Sequence, residues 1–196
     1  MKPRLHRLAA PRRQAARGFS LIEVLVSMFV VSMGILALAG LLQSASRYGK
    51  MSELRSTATL LANDIADHIR ANPAGAKASA YDATESYAST IPDARNPPGA
   101  TCIDTTCTAA QIAAVDMFSW RSRLRATLPS GSAYVRYHAS ADVATQTGSV
   151  DVWVAWTDPN TVAKGTKTER PDGECPDPLG AKDDSSIRCI YLQVGI

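Results

Sequence analysis

FSLIEVLVSMFVVSMGILALAGLL, residues 19–42, contains no proline and a single charge, Glu23. At ~1.5 Å of rise per residue, these 24 residues reach across a bilayer core of ~30 Å with some tilt. Upstream, Lys2, Arg4, Arg7, Arg12, Arg13 and Arg17 form a basic leader without an acid. Positive charge ahead of an apolar span favours retaining that end in the cytoplasm, so the rest of the chain is expected on the far side. Six of the 21 basic residues precede Gly18, which leaves 15 against all 18 acids, a net of −3. The overall +3 therefore describes the leader, and charge gives no reason to expect a nucleic-acid partner.

Downstream, Met51, Leu54, Ala58, Leu61, Ile65 and Ile69 recur at steps of three and four, with Ser52, Glu53, Arg55, Asn63, Asp64 and Asp67 on the other faces. That pattern extends the apolar segment into one amphipathic helix from about Ser20 to Ala71, ended by Asn72-Pro73 and Gly75. The second half needs cover along one stripe. The first half is apolar all round and suits a bilayer or a bundle of identical neighbours. Gly34 and Gly40 are its weakest helix formers, and read either as a place for local melting or as close-packing positions.

An ordinary signal peptide cut near Ala37-Leu38-Ala39, or a plain membrane anchor, would also explain the span. Neither uses Glu23. A carboxylate at membrane depth costs roughly 2.5–3.5 kcal/mol, which calls for a partner.

Beyond the helix, residues 74–107 are rich in Ala, Ser, Thr, Pro and Gly and read as an irregular surface connector, with Tyr81 and Tyr87 packing back on the long helix. Thr108-Ala-Ala-Gln111 has the form of a capping box, opening a helix to about Leu128 with Ala113, Met117, Trp120, Leu124 and Leu128 as its stripe. Arg121, Arg123 and Arg125 read as a solvated basic face. Period-two alternation at Ala133–Ala139, Gly148–Thr157 and Ile187–Val194 predicts antiparallel strands. The fold class is α+β: a long N-terminal helix packed against a small antiparallel sheet.

Cys102, Cys107, Cys175 and Cys189 lack zinc-knuckle and redox-pair spacing. An even count behind an export-like start reads as two disulfides, with free buried thiols the alternative. Of three possible connectivities the local one is expected, Cys102–Cys107 with Cys175–Cys189.

Arg17-Gly18-Phe19-Ser20-Leu21-Ile22-Glu23 resembles the cleavage site of type IV prepilins and pseudopilins. The resemblance implies a pilin-like fold. It also implies that prepilin peptidase cuts after Gly18, that Phe19 is then N-methylated, and that Glu23 pairs with the terminal amine of a neighbouring subunit during assembly. The implied organisation is a cleaved leader over 1–18, a membrane and filament-core helix over 19–72, and a periplasmic domain over 73–196.

Ser27–Gly34, Cys102 and Cys107 with the helix that follows, Leu128-Pro-Ser-Gly131, and Arg188-Cys-Ile-Tyr-Leu192 are similar to the PilV group of minor type IV pilins. That likeness implies a single-pass inner-membrane protein that helps prime pilus assembly and then enters the pilus. Its implied partners are other minor pilins, the major pilin, prepilin peptidase, the inner-membrane assembly machinery and membrane lipid. A minor pseudopilin of type II secretion shares the same N-terminus, and a tip-located adhesion or DNA-uptake module is a further alternative.

No enzyme activity, cofactor or metal is expected. His68 and His138 show no partner pattern, and phosphate-loop, HExxH and G-x-S-x-G motifs are missing. Asp172, Glu174, Asp177, Asp183 and Asp184 concentrate acid in one long loop but lack EF-hand spacing, so a solvated loop is expected rather than a calcium site.

Overall fold

The computed structural model describes residues 18–84, 86–87, 99, 102, 106–140, 147–159, 173–181, 184 and 186–196. The leader to Arg17, most of the 88–105 connector and much of the loop before β3 lie outside them. Two compact units are distinguished, Met1–Ala45 and Ser46–Ile196.

Helix α1 spans Leu21–Ala71. Ser20 starts it: its carbonyl accepts from the Glu23 and Val24 N–H groups at 3.0 and 3.3 Å. Glu23 thus stands in the first turn, where a carboxylate complements the helix dipole. The chain does not become irregular after Ala71. Asn72 instead caps a second, short helix, α2 (Pro73–Lys77), its side chain accepting from the Gly75 N–H at 3.2 Å. A proline that ends one helix is well suited to the first position of the next, because its missing N–H would be unpaired there in any case. Gly75 serves packing rather than termination, since a Cβ there would fall 2.9 Å from the Ala109 carbonyl oxygen.

Helix α3 (Ala109–Thr127) carries the full capping box: Thr108 Oγ1 accepts from the Gln111 N–H, and Gln111 Oε1 accepts from the Thr108 N–H. Strands β1 (Ser132–Ala139), β2 (Gly148–Thr157) and β3 (Ile187–Gly195) form one antiparallel sheet in the order β1-β2-β3. Val135 faces Val152 across the first pair, and Val152 faces Leu192 across the second.

The main core of the second unit joins the α1 stripe from Leu54 to Ile69, the α3 stripe at Ala113, Met117, Trp120 and Leu124, and the inward strand residues Val135, Val150, Val152, Val154 and Val194. Trp120 is fully buried and donates its indole N–H to the Leu61 carbonyl at 2.8 Å, which ties α3 to α1.

A smaller cluster covers part of the opposite sheet face: Tyr134, Ala155, Cys175, Leu179, Ala181, Ile187 and Cys189. Alternation in β1 assigns Tyr134 to a polar face, yet it is buried because the segment around Leu179 folds over it. Tyr81 does pack into the main core, whereas Tyr87 belongs to the outer cluster, with its hydroxyl bonded to Ser130 O and Thr157 Oγ1 at 2.9 Å each. Cys102 is bonded to Cys107 and Cys175 to Cys189.

Candidate assembly site

Gly18 and Phe19 precede α1 in exposed backbone, and nothing lies within 4 Å of where a Gly18 side chain would begin. Phe19 is 82% exposed. Glu23 is exposed one turn into the helix and has no hydrogen-bond or ion-pair partner among the described residues. Gly18 and Phe19 thus lie just before α1, and Glu23 in its first turn.

Around this head every large apolar side chain from Phe19 to Leu42 is exposed. A side chain of this kind gains ~1.5–3 kcal/mol on full burial, so the segment as a whole is strongly driven out of water. It is long and apolar enough to cross a membrane. Ser27 and Ser32 turn their hydroxyls onto the Val24 and Met28 carbonyls at 2.8 and 2.7 Å, so neither presents an unpaired donor to an apolar surrounding.

The second unit holds polar pairs that the local pattern conceals. His68 Nδ1 lies 3.1 Å from Asp116 Oδ1, and His68 Nε2 lies 4.0 Å from Asp64 Oδ1. His138 Nε2 lies 3.1 Å from Asp151 Oδ2. The reading of both histidines as partnerless is corrected: Asp116 comes from α3, Asp64 from one turn back on α1, and Asp151 from β2, the strand paired with β1. Arg123 likewise pairs with Asp64 at 2.6 Å, and Arg121 and Arg125 also have partners, so the basic cluster is not simply a solvated face.

Tyr81 links this region together. Its hydroxyl donates to Asp116 Oδ2 at 2.7 Å and accepts from Asn72 Nδ2 at 3.2 Å, while Asn72 also donates to the Ala109 carbonyl at 2.7 Å. Burial, reinforced by the bond to Asp116, raises the Tyr81 phenol well above its usual range. Tyr191, bonded to Asp151 at 2.8 Å, is pushed up to about 12 by desolvation first and by that carboxylate second. These contacts join α1, α2 and α3 and brace the sheet surface; they do not converge on a cleft.

The acids of the long loop disperse as well. Glu174 binds Arg188 at 2.9 Å, Asp177 opens a 3-10 turn at Asp177–Leu179, and Asp184 accepts from Ser186. Asp172 and Asp183 lie outside the described residues, among which no three His, Cys, Asp or Glu gather into a metal-binding group.

An exposed apolar half-helix followed by a small α+β unit with one antiparallel sheet matches a pilin-like α+β fold. Two family models match the chain. The prokaryotic N-terminal methylation motif matches residues 13–39. The Tt1218-like family, described as type IV pilin Tt1218, matches residues 45–118. Together they support a type IV pilin. No curated protein and no solved structure matches the chain.

Proposed function

We propose that the protein is a minor type IV pilin of the PilV group, which helps prime pilus assembly in the inner membrane and then becomes part of the pilus. The observation that carries this reading is the pairing of a fully exposed apolar half-helix with a Glu23 in its first turn that has no partner among the described residues. Prepilin peptidase cuts after Gly18, the new amine of Phe19 is methylated, and the apolar segment stays in the membrane with the second unit in the periplasm.

Glu23 then meets the terminal amine of a neighbouring subunit. A carboxylate and an ammonium are each costly in an apolar surrounding, and placing them together offsets both desolvation penalties while setting the axial register. Other minor pilins and the major pilin supply that neighbour. The inner-membrane assembly machinery drives extraction from lipid into the filament.

Intact mass and N-terminal sequencing of protein from membranes and from sheared pili test the processing. A chain beginning at methylated Phe19 is expected, and one beginning at Gly40 would sink the proposal. Glu23→Ala is expected to insert normally, or more easily, yet be depleted at least tenfold from sheared pili. Normal incorporation would remove Glu23 from assembly. A bulky residue at Gly18 should leave the leader attached, because its charges resist passage into the bilayer, and should block extraction into the filament. Failure of secretion with intact pili would instead assign the chain to a type II secretion pseudopilus.

A further inference from the structure

The two edges of the sheet are treated differently. On the outer edge of β1, Ala83 pairs with Val135 through backbone bonds of 2.8 and 2.9 Å, and Asp82 takes the Tyr137 N–H at 2.9 Å. Among the described residues the β3 edge has no such strand. Gly148 and Ile196 exchange bonds of 2.8 and 2.9 Å. In an antiparallel ladder the residues of that phase, Val194, Leu192 and Ile190, also face β2, so Cys189, Tyr191 and Gln193 turn their backbone groups outward. The Cys189 N–H is taken by Glu174 Oε1 at 3.4 Å. Tyr191 and Gln193 keep both N–H and C=O unpaired among the described residues. No proline or lysine interrupts β3, although such residues commonly blunt an open edge.

Beside this edge lies a groove of about 350 Å³, walled by Arg55, Thr59 and Asn63 of α1 and by Cys189 to Leu192 of β3. Thr59 and Asn63 donate to helix carbonyls, whereas Arg55 is exposed and has no ion-pair partner among the described residues. Two open donor–acceptor pairs about 7 Å apart, with one free guanidinium beside them, match an extended backbone carrying a carboxylate.

We infer that the β3 edge is a docking site for an extended, acid-bearing segment of another protein subunit, which adds a fourth strand beside Tyr191 and Gln193 and pairs its carboxylate with Arg55. A second copy of the same edge fits poorly: β3 contains no Asp or Glu, and joining two edges would bring two Arg55 side chains to one short ladder.

The test uses the full chain in detergent micelles and a ten-residue peptide of alternating Val and Thr with one central Glu. Binding should slow amide exchange at Tyr191 and Gln193 and leave β1 unchanged. N-methylating alternate peptide amides on the pairing side should abolish binding. Arg55→Glu, on the exposed face of α1, should weaken the Glu peptide about fivefold and favour a Lys version. Gln193→Pro, which removes one outward N–H where an edge tolerates proline, should weaken both.

Unchanged exchange at Tyr191 and Gln193, or equal binding of the N-methylated peptide, overturns the inference. Dimers in sedimentation that protect the same amides would give the edge to a second copy and overturn the choice of occupant. None of these measurements involves pili, so the outcome is separable from the filament reading.

Discussion

From Phe19 to Leu42 the chain leaves every large apolar side chain exposed, whereas between Leu54 and Ile69 helix α1 buries seven residues along one stripe. The difference lies in what occupies the remaining faces. Asp64, Asp67 and Arg70 keep the second half wet on one side, and its stripe meets α3 and the sheet within the second unit. The first half has only Ser20, Glu23, Ser27 and Ser32 among its apolar and small residues, too few for a wet side. A helix can have one dry stripe in any soluble domain, but one that is dry all round needs lipid or other subunits.

Substitution in both regions gives the sharpest test of this contrast. Trp120→Ala removes the buried indole and its bond to Leu61, and should cost ~3–5 kcal/mol in denaturant unfolding of the full chain in detergent. Phe29→Ala, in the exposed half, should leave that unfolding within ~0.5 kcal/mol while weakening retention in membranes or filaments. Equal losses of unfolding free energy would mean that the two regions are not energetically distinct.

The next effect concerns the outer sheet face. Replacing Cys175 and Cys189 together by serine opens a closed loop of sequence separation 14 and should cost about 3 kcal/mol, with the greatest rise in amide exchange at Leu179 and Ala181. Unchanged stability would show that the hydrophobic contacts hold the segment unaided.

The smallest effect is a pH dependence. Burial and the Asp116 bond raise the Tyr81 phenol above its ordinary value of 10.0, so the folded state retains a proton that the unfolded chain loses. The stability this supplies is complete below pH 10 and declines as pH rises further. Tyr81→Phe should lose about 1 kcal/mol at neutral pH and show a shallower alkaline decline than the parent. Parallel curves would move the alkaline dependence to Tyr87 or Tyr191, whose phenols are raised in the same direction.

Local chemistry was legible wherever neighbours in sequence supply both partners of a contact. The Thr108 and Gln111 box is one such case, and the alternating strands are another. Asn72-Pro73 was legible as a helix end but not as the start of α2, because the same residues serve both, closing α1 and capping α2. His68, His138 and the basic cluster of α3 were misread for a related reason. Asp116 and Asp64 reach His68 and Arg123 across packed helices, a relation invisible to periodicity.

By itself the sequence determined the apolar segment, its single carboxylate, the basic leader and the period of each element, since these depend on spacing along one chain. Tertiary structure alone decided that Tyr134 is buried, that His68 and Tyr81 share Asp116, and that among the described residues one sheet edge is capped while the other stays open. Each of those outcomes joins residues far apart in the chain, and a contact of that kind has no local signature until packing brings its partners together.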